Sequence, residues 1–364
     1  MSNSTSGDNK VEKQIREIIG LQGPIGIDVF TQYCLYDPKH GYYINQNPIG
    51  AEGDFITAPE ISQMFGEMIA KWVISCWVNL GSPAKFNLIE MGAGRGTLLK
   101  DIIRTLCKFP EITNAIKINI VESNNNLAKI QKEKIENSIT SEKSLGVFWY
   151  QDLNKLFKDN DDCPFIMIGN EFLDCLPIKQ FIKTPKGWCE KLVGIGKDDK
   201  LTFGLSAPMN ISFEKKIKND DIGAIVEISR PLEAFIENVC LYLKDKKGYA
   251  LFIDYGYDDY ENGDTFQSLY KHEKNSPLKN IGLADLTAHV DFMELARIAY
   301  KHEIEYEGPI TQAEFLTSLG IKERAQKLAS LNPDKTKSIL SDLHRLIGEA
   351  QMGTLFKAFA FKVI

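Results

Sequence analysis

Between residues 61 and 77, Ile61, Met64, Phe65, Met68, Ile69, Trp72, Val73, Cys76 and Trp77 recur at three- and four-residue spacing, which predicts a helix with one face on a core. Thr57-Ala58-Pro59-Glu60 reads as a helix start, because a threonine three residues before a glutamate can form a capping box and proline tolerates the first turn. A stripe of Val11, Ile15, Ile18 and Ile19 marks another helix, and residues 11–80 read as largely helical. From residue 86 the pattern alternates: strand Phe86 to Glu90, a helix carrying Leu98, Leu99, Ile102, Ile103 and Leu106, then strand Ile116 to Glu122. That order predicts a parallel sheet and an α/β fold. Phe148 to Tyr150 and Phe165 to Ile168 are further short strands. Gly187, Gly194, Gly196 and Gly204 punctuate alternating runs over 178–214 and predict β-hairpins. After a helix from about Pro231 to Leu243, the buried-strand pattern returns at Tyr249 to Asp254. Residues 256–300 read first as polar loop, with 284–291 starting the helix Phe292 to Tyr300. Residues 311–350 read as helical, and Phe356 to Ile364 as a last strand.

At 364 residues, 43% hydrophobic and 25% charged, the chain has material for one large α/β domain with an appended part. No run approaches the roughly 18 apolar residues of a membrane span, so membrane insertion is not expected. A net charge of −6 argues against nucleic-acid binding and suits basic protein substrates. Seven cysteines without a CxxC pair read as free thiols in a reducing compartment, and five histidines never at i, i+4 spacing give no local metal site. The oligomeric state is left open.

The chemistry concentrates at Phe86-Asn-Leu-Ile-Glu-Met-Gly-Ala-Gly-Arg-Gly96, where a strand ends on Glu90 and opens into Gly92, Gly94 and Gly96 before a helix. Glycine there lets the backbone turn sharply and approach a ligand. This GxGxG spacing differs from the GxGxxG of dinucleotide enzymes and resembles the S-adenosylmethionine loop of class I methyltransferases. Glu122, one strand later, offers two acceptor oxygens for a ribose diol, which supports an adenosine cofactor without choosing which. Asp152 could accept from the adenine amino group while Leu153 packs on the ring, although an exposed turn aspartate is an equal reading. Beyond the next strand, Gly169-Asn170-Glu171-Phe172-Leu173-Asp174 sets an amide and two carboxylates where a transferring methyl would lie. Glu171 and Asp174 together could hold a guanidinium bidentately, with Asn170 beside them, or could cap a following helix. The segment from Gly53 to Gln63 is expected to fold over the cofactor as a lid, with polar contacts from Thr57, Glu60 and Gln63.

Five blocks in register, GPIGIDVFTQYCLYDPKHGYY, GDFITAPEISQMFGE, LIEMGAGRGTL, GNEFLDCLPIKQF and ADLTAHVDF, closely resemble the MidA family of S-adenosylmethionine-dependent methyltransferases over about residues 23–364. The resemblance implies a Rossmann-like seven-stranded sheet whose last strand is antiparallel, an N-terminal helical lid and helical insertions. It implies S-adenosyl-L-methionine as cofactor and S-adenosyl-L-homocysteine as product. It places the cofactor loop on Glu90, Gly92, Gly94 and Gly96, with Glu122 and Asp152 at the adenosyl positions. The family's mitochondrial members are protein-arginine methyltransferases that assist assembly of respiratory complex I, so a complex I subunit is the implied partner and symmetric dimethylarginine the implied product. The leader here is not rich in arginine, which points to a bacterial, cytoplasmic member.

The expected divisions are a tail and helix at 1–22, a lid at 23–80, a core at 81–258 carrying the hairpin insertion 178–214, helical insertions at 259–350, and a final core strand at 351–364. A small-molecule or other amino-acid acceptor is the alternative enzyme reading. An assembly scaffold that binds the cofactor without essential catalysis is the alternative from another class, and a nicotinamide oxidoreductase is disfavoured by the glycine spacing.

Overall fold

Strand β1 (Phe86–Met91) is buried at all six positions, as a strand covered on both faces must be. In the computed structural model, which describes residues 9–45, 56–139, 145–159, 162–213, 217, 220–259 and 263–364, it is the middle of a parallel array. The array continues with β2 (Ile116–Val121), β3 (Val147–Tyr150), β4 (Phe165–Asn170), β5 (Gly248–Tyr257), β6 (Glu305–Thr311) and β7 (Phe356–Val363). The strand order is β3-β2-β1-β4-β5-β7-β6, with Val290–Asp291 adding a short pairing to β5. β1 to β5 run parallel, and β7 enters antiparallel between β5 and β6, setting Phe252 opposite Phe359. The chain leaves β1 in one direction and returns as β4 on its other side, pairing Met91 with Gly169. That reversal opens a crevice at the carboxyl ends of β1 and β4, the switch point where ligands of open α/β sheets bind.

Helices α1 (Gln63–Asn79) and α2 (Thr97–Leu106) cover one face of the sheet. Gly66 lets them approach, since a Cβ there would lie 2.6 Å from the Asp101 Cβ. Leu88, Ile118 and Ile166 from the strands meet Phe65, Ile69, Leu99 and Ile102 from the helices in one core. Each such side chain contributes roughly 1.5–3 kcal/mol by leaving water. α3 (Asn125–Ile139) follows β2, and α4 (Arg230–Lys246) precedes β5.

By contacts the chain forms two units, and this sheet unit comprises Ile56–Leu173, Phe235–Asp258 and Val290–Ile364. The second is assembled from Met1–Phe55, Asp174–Ala234 and Asp259–His289. In it, Lys179–Thr184, Gly187–Ile195 and Leu201–Leu205 form the hairpins expected within 178–214, joined by Ile25–Gly26 and Ile225–Ile228. Val11, Ile15, Phe30 and Leu35 from two helices pack with Val193 and Leu286. The segment expected as one lid, 23–80, thus divides: residues 23–45 belong with the β-rich unit, and Ala58 onward belongs with the sheet. The stretch expected as helical from 259 is also mixed. Gln267–Tyr270, Glu273–Asn275 and Asp285–Thr287 make a three-stranded sheet, and only from Phe292 does a helix run, capped by Asp291. Residues 1–8 of the expected tail and Gly53–Phe55 of the lid motif lie outside the described residues, and Asn9 caps the expected helix, Lys10–Gln22.

Candidate functional site

The three loop glycines all adopt left-handed backbone, with φ of 61° at Gly92, 53° at Gly94 and 75° at Gly96. A side chain at each costs roughly 1–2 kcal/mol of strain. Space is limiting as well, because a Cβ on Gly92 would sit 3.0 Å from the Phe172 ring. The loop is closed by Gly92 N donating to Val121 O at 3.0 Å and Gly96 N to Ala93 O at 2.7 Å, after which Gly96 opens α2. The backbone at the end of β1 is therefore left uncovered by side chains of its own.

Two carboxylates stand beside this loop. Glu122, at the end of β2, is 9% exposed and accepts from Asn124 N at 2.8 Å and from Gln131 Nε2 at 3.0 Å. Burial raises its pKa, opposed by those hydrogen bonds. Glu90 is 4% exposed, and its Oε2 has no hydrogen-bond partner. Burial, and then the charge of Glu122, push its carboxyl up to about 8. An orphaned buried oxygen beside a second acid is the environment a cationic ligand relieves. Gln131, on α3, also donates to Gly94 O at 2.9 Å, and Trp149 Nε1 donates to its Oε1 at 3.0 Å. Asp152 lies half-exposed after β3 and accepts from Lys155 N at 2.9 Å, and Leu153 beside it is buried. Its protein bond is therefore that of a turn aspartate opening the helix Leu153–Asp159.

The loop after β4 is built from strain and long-range bonds. Glu171 is a non-glycine residue with φ 50°, held by its N–H to Ile253 O at 2.8 Å. Its Oε1 accepts from Asn170 Nδ2 at 3.1 Å and from Ala58 N at 3.0 Å, while the buried Asn170 Oδ1 has no partner. Asp254, buried on β5 one residue beyond its last pairing with β4, accepts from Phe172 N at 3.0 Å and Leu173 N at 2.9 Å through one oxygen. No helix follows this loop, since the next element is the strand Lys179–Thr184, so the helix-capping reading of Glu171 and Asp174 fails. The expected capping box at Thr57 also does not form. Ala58–Ile61 is a single turn in which the Thr57 side chain makes no cap bond, and Glu60 instead accepts from Thr97 Oγ1, with Lys134 Nζ 3.9 Å away. Ser62 caps α1, through Met64 N at 3.3 Å. Thr57 is buried, and the turn after it ties the glycine-loop helix to Glu171.

Asp174 begins the second stretch of the β-rich unit, where its carbonyl accepts from Ala288 N at 3.0 Å. In that unit Tyr36 Oη donates to Cys175 O at 2.9 Å and Tyr43 Oη to Asp285 Oδ1 at 3.3 Å, with ring centroids 5.7 Å apart. Burial first, and then neighbours including Asp174 and Asp285, raise both phenol pKa values.

The sheet unit thus gathers Glu90, Gly92, Gly94, Gly96, Glu122, Asn170, Glu171 and Thr57 on loops at or beside the carboxyl ends of β1, β2 and β4. Three residues of this region were not visible in the sequence pattern. Gln131 looks like any polar helix position, Ala58 acts through its backbone, and Asp254 lies within a strand without a motif around it. Among the described residues no group of three His, Cys, Asp or Glu could hold a metal ion, and no helix is long and apolar enough to cross a membrane.

These features fit S-adenosyl-L-methionine: glycines in left-handed backbone give close approach, an unpartnered acid suits a positive charge, and Glu122 suits a diol. A sheet of order β3-β2-β1-β4-β5-β7-β6, antiparallel only at β7 and carrying this loop at its switch point, defines a class I S-adenosylmethionine-dependent methyltransferase. Residues 68–310 match the model of a family of S-adenosyl-L-methionine-dependent methyltransferases, the MidA family, and the chain belongs to it. It is 34% identical over 382 residues to the mouse mitochondrial protein arginine methyltransferase NDUFAF7, covering 98% of this chain and 86% of that one. It is 32% identical over 375 residues to the Caenorhabditis elegans homologue, covering 97% and 86%. A crystal structure of a Burkholderia thailandensis protein bound to S-adenosyl-homocysteine superposes with a TM-score of 0.85 at 27% identity, covering 97% of this chain and 92% of that one.

Proposed function

We propose that this methyltransferase modifies arginine in a protein substrate. The observation that carries the reading is Glu171, a carboxylate held in left-handed backbone at the end of β4, the strand beside the glycine loop. Strain of this kind persists where the surrounding structure enforces it, here through Ile253 O, Ala58 N and Asp254. The relatives, protein arginine methyltransferases, support the same acceptor.

In this reading Glu90, the three glycines, Glu122, Asp152, Leu153 and Thr57 hold the cofactor, which supplies a methyl on a sulfonium leaving group. Glu171 binds the guanidinium, and the unpartnered Asn170 Oδ1 accepts from one of its N–H groups. A carboxylate on one edge of the guanidinium draws its positive charge aside and turns a nitrogen lone pair toward the methyl. The nitrogen–methyl bond then forms as the sulfur–methyl bond breaks, and the nitrogen's surplus proton leaves to water. Alignment supplies most of the rate, since the leaving group is already activated. A subunit of respiratory complex I is the acceptor and symmetric dimethylarginine the product implied by the family resemblance. Seven free cysteines accord with work in a reducing compartment such as a bacterial cytoplasm.

The test is incubation with methyl-labelled S-adenosyl-L-methionine and a lysate, followed by acid hydrolysis of the labelled protein. Label is expected on arginine, and label confined to lysine or to small molecules rejects the proposal. Glu171→Gln should lower kcat at least about 100-fold while leaving affinity for S-adenosyl-L-homocysteine within about 3-fold.

A further inference from the structure

Gln131 belongs to no motif, yet it is completely buried and its side-chain amide joins three elements. Nε2 donates to Gly94 O at 2.9 Å and to Glu122 Oε2 at 3.0 Å, and Oε1 accepts from Trp149 Nε1 at 3.0 Å. The orientation of that amide is forced. An indole N–H only donates, while a carbonyl and an ionised carboxylate only accept, so the oxygen must face Trp149 and both amide hydrogens are committed. The other Glu122 oxygen receives Asn124 N at 2.8 Å. The Ser123 backbone N–H adds a further bond to the carboxylate, and two oxygens with about four acceptor positions between them still retain capacity for a ligand's donors. Two donors fixed from opposite ends leave the carboxylate little rotational freedom, and they favour the ionised form that accepts through both oxygens.

We propose that Gln131 is the positioning residue for ribose recognition: by locking Glu122 as a two-oxygen acceptor, it makes the site select adenosyl ligands that carry both the 2′- and 3′-hydroxyls. The proposal rests on the reading that Glu122 meets the ribose. Without Gln131, Glu122 turns about its last bonds and gains a protonated fraction, and a protonated carboxyl, with one oxygen now carrying a proton, accepts from a pair of hydroxyls more weakly than the ionised form. Trp149 acts one step further out, since its indole decides which way the Gln131 amide faces. The hydrogen bond to Gly94 O predicts a second, smaller effect, a general loosening of the glycine loop that weakens every adenosyl ligand alike.

The experiment is isothermal titration of the apo-protein with S-adenosyl-L-homocysteine and with its 2′-deoxyadenosyl and 3′-deoxyadenosyl counterparts, with circular dichroism to verify folding of each variant. The wild-type chain should prefer the full ribose by roughly 30-fold or more, the size expected when a site's buried polar group loses its partner. Gln131→Met, which keeps the volume and removes both donors, should weaken the full ligand by roughly 10–30-fold and the deoxy ligands by only about 3-fold, so a preference of about 30-fold falls to roughly 3–9-fold. If all three ligands weaken by one common factor, Gln131 only braces the loop and the proposal is overturned. Should Gln131→Met fail to fold, Trp149→Phe reads the same contrast, with a partial loss of preference expected and an unchanged preference overturning it. Glu122→Gln separates the two levels of the argument. If that variant keeps the wild-type preference, the ribose reading of Glu122 falls and the proposal with it, whereas loss in Glu122→Gln with full retention in Gln131→Met rejects Gln131 alone.

Discussion

Replacing Glu90 by glutamine should make the apo-protein more stable, and more so the higher the pH. The side chain is 4% exposed with an oxygen that no group satisfies, and burial followed by the Glu122 charge lifts its pKa from an ordinary 4.5 to about 8. An acid shifted upward keeps in the folded chain a proton that the unfolded chain has already released. Between those two pH values the native state binds more protons, so stability falls as pH rises and the loss is complete above the folded value. At about 1.36 kcal/mol per pH unit the full effect is roughly 5 kcal/mol, of which about 3 kcal/mol is already present at pH 7. Glutamine keeps the shape and never ionises. Wild type and variant should therefore melt alike near pH 5 and diverge by several degrees at pH 8.5, given about 2 °C per kcal/mol for a chain of this size. Thermal unfolding followed by circular dichroism across that range measures the difference. Parallel melting curves for the two proteins from pH 5 to 8.5 would refute the argument, because Glu90 would then be as well solvated folded as unfolded. The same variant should lose cofactor affinity, since the orphaned oxygen is what a positively charged ligand would meet, an exchange of stability for binding.

Two other substitutions probe the loops. Asp254→Ala leaves the N–H groups of Phe172 and Leu173 without their acceptor, which should cost about 3 kcal/mol in urea denaturation and reduce kcat more than cofactor binding. Equal losses in both would show that the loop serves the cofactor alone. Gly92→Ala meets left-handed backbone and the Phe172 ring 3.0 Å from its Cβ, so S-adenosyl-L-homocysteine affinity should fall at least about 10-fold in a folded protein, and calorimetry showing unaltered affinity would contradict the close-approach role.

The parts of the fold legible in the sequence are those dictated by local pattern. β1 is a continuous apolar run because both its faces are covered, and α1 announces itself by an apolar stripe. β6, Glu-Tyr-Glu-Gly-Pro-Ile-Thr, gave no such signal. It is an edge strand with exposed Tyr306 and Ile310, and its register slips between Glu307 and Ile310 where Gly308 and Pro309 sit, so neither alternation nor β-propensity survives. The short sheet of residues 267–287 was similarly hidden, since its strands are three or four residues long and polar. At the site, the glycines carried their own signature because their backbone angles are a property of residue type. The partnerships did not. Thr57 and Glu60 have the spacing of a capping box, but Thr97 and Lys134, distant in sequence, claim the glutamate instead. Gln131 and Asp254 act only through strands and loops brought close by folding, and no window of neighbouring residues reveals such bonds.

The antiparallel strand β7 lies between β5 and β6, bonded to both along most of its length. Until Phe356–Val363 has been synthesised, β5 stands as an open apolar edge and β6 has no neighbour to join, so the sheet cannot close while its final strand is still in the ribosome. Nascent chains of this enzyme should consequently lean on chaperones late, and truncations that stop short of residue 356 should aggregate as sticky half-sheets rather than accumulate as folded enzyme missing one strand.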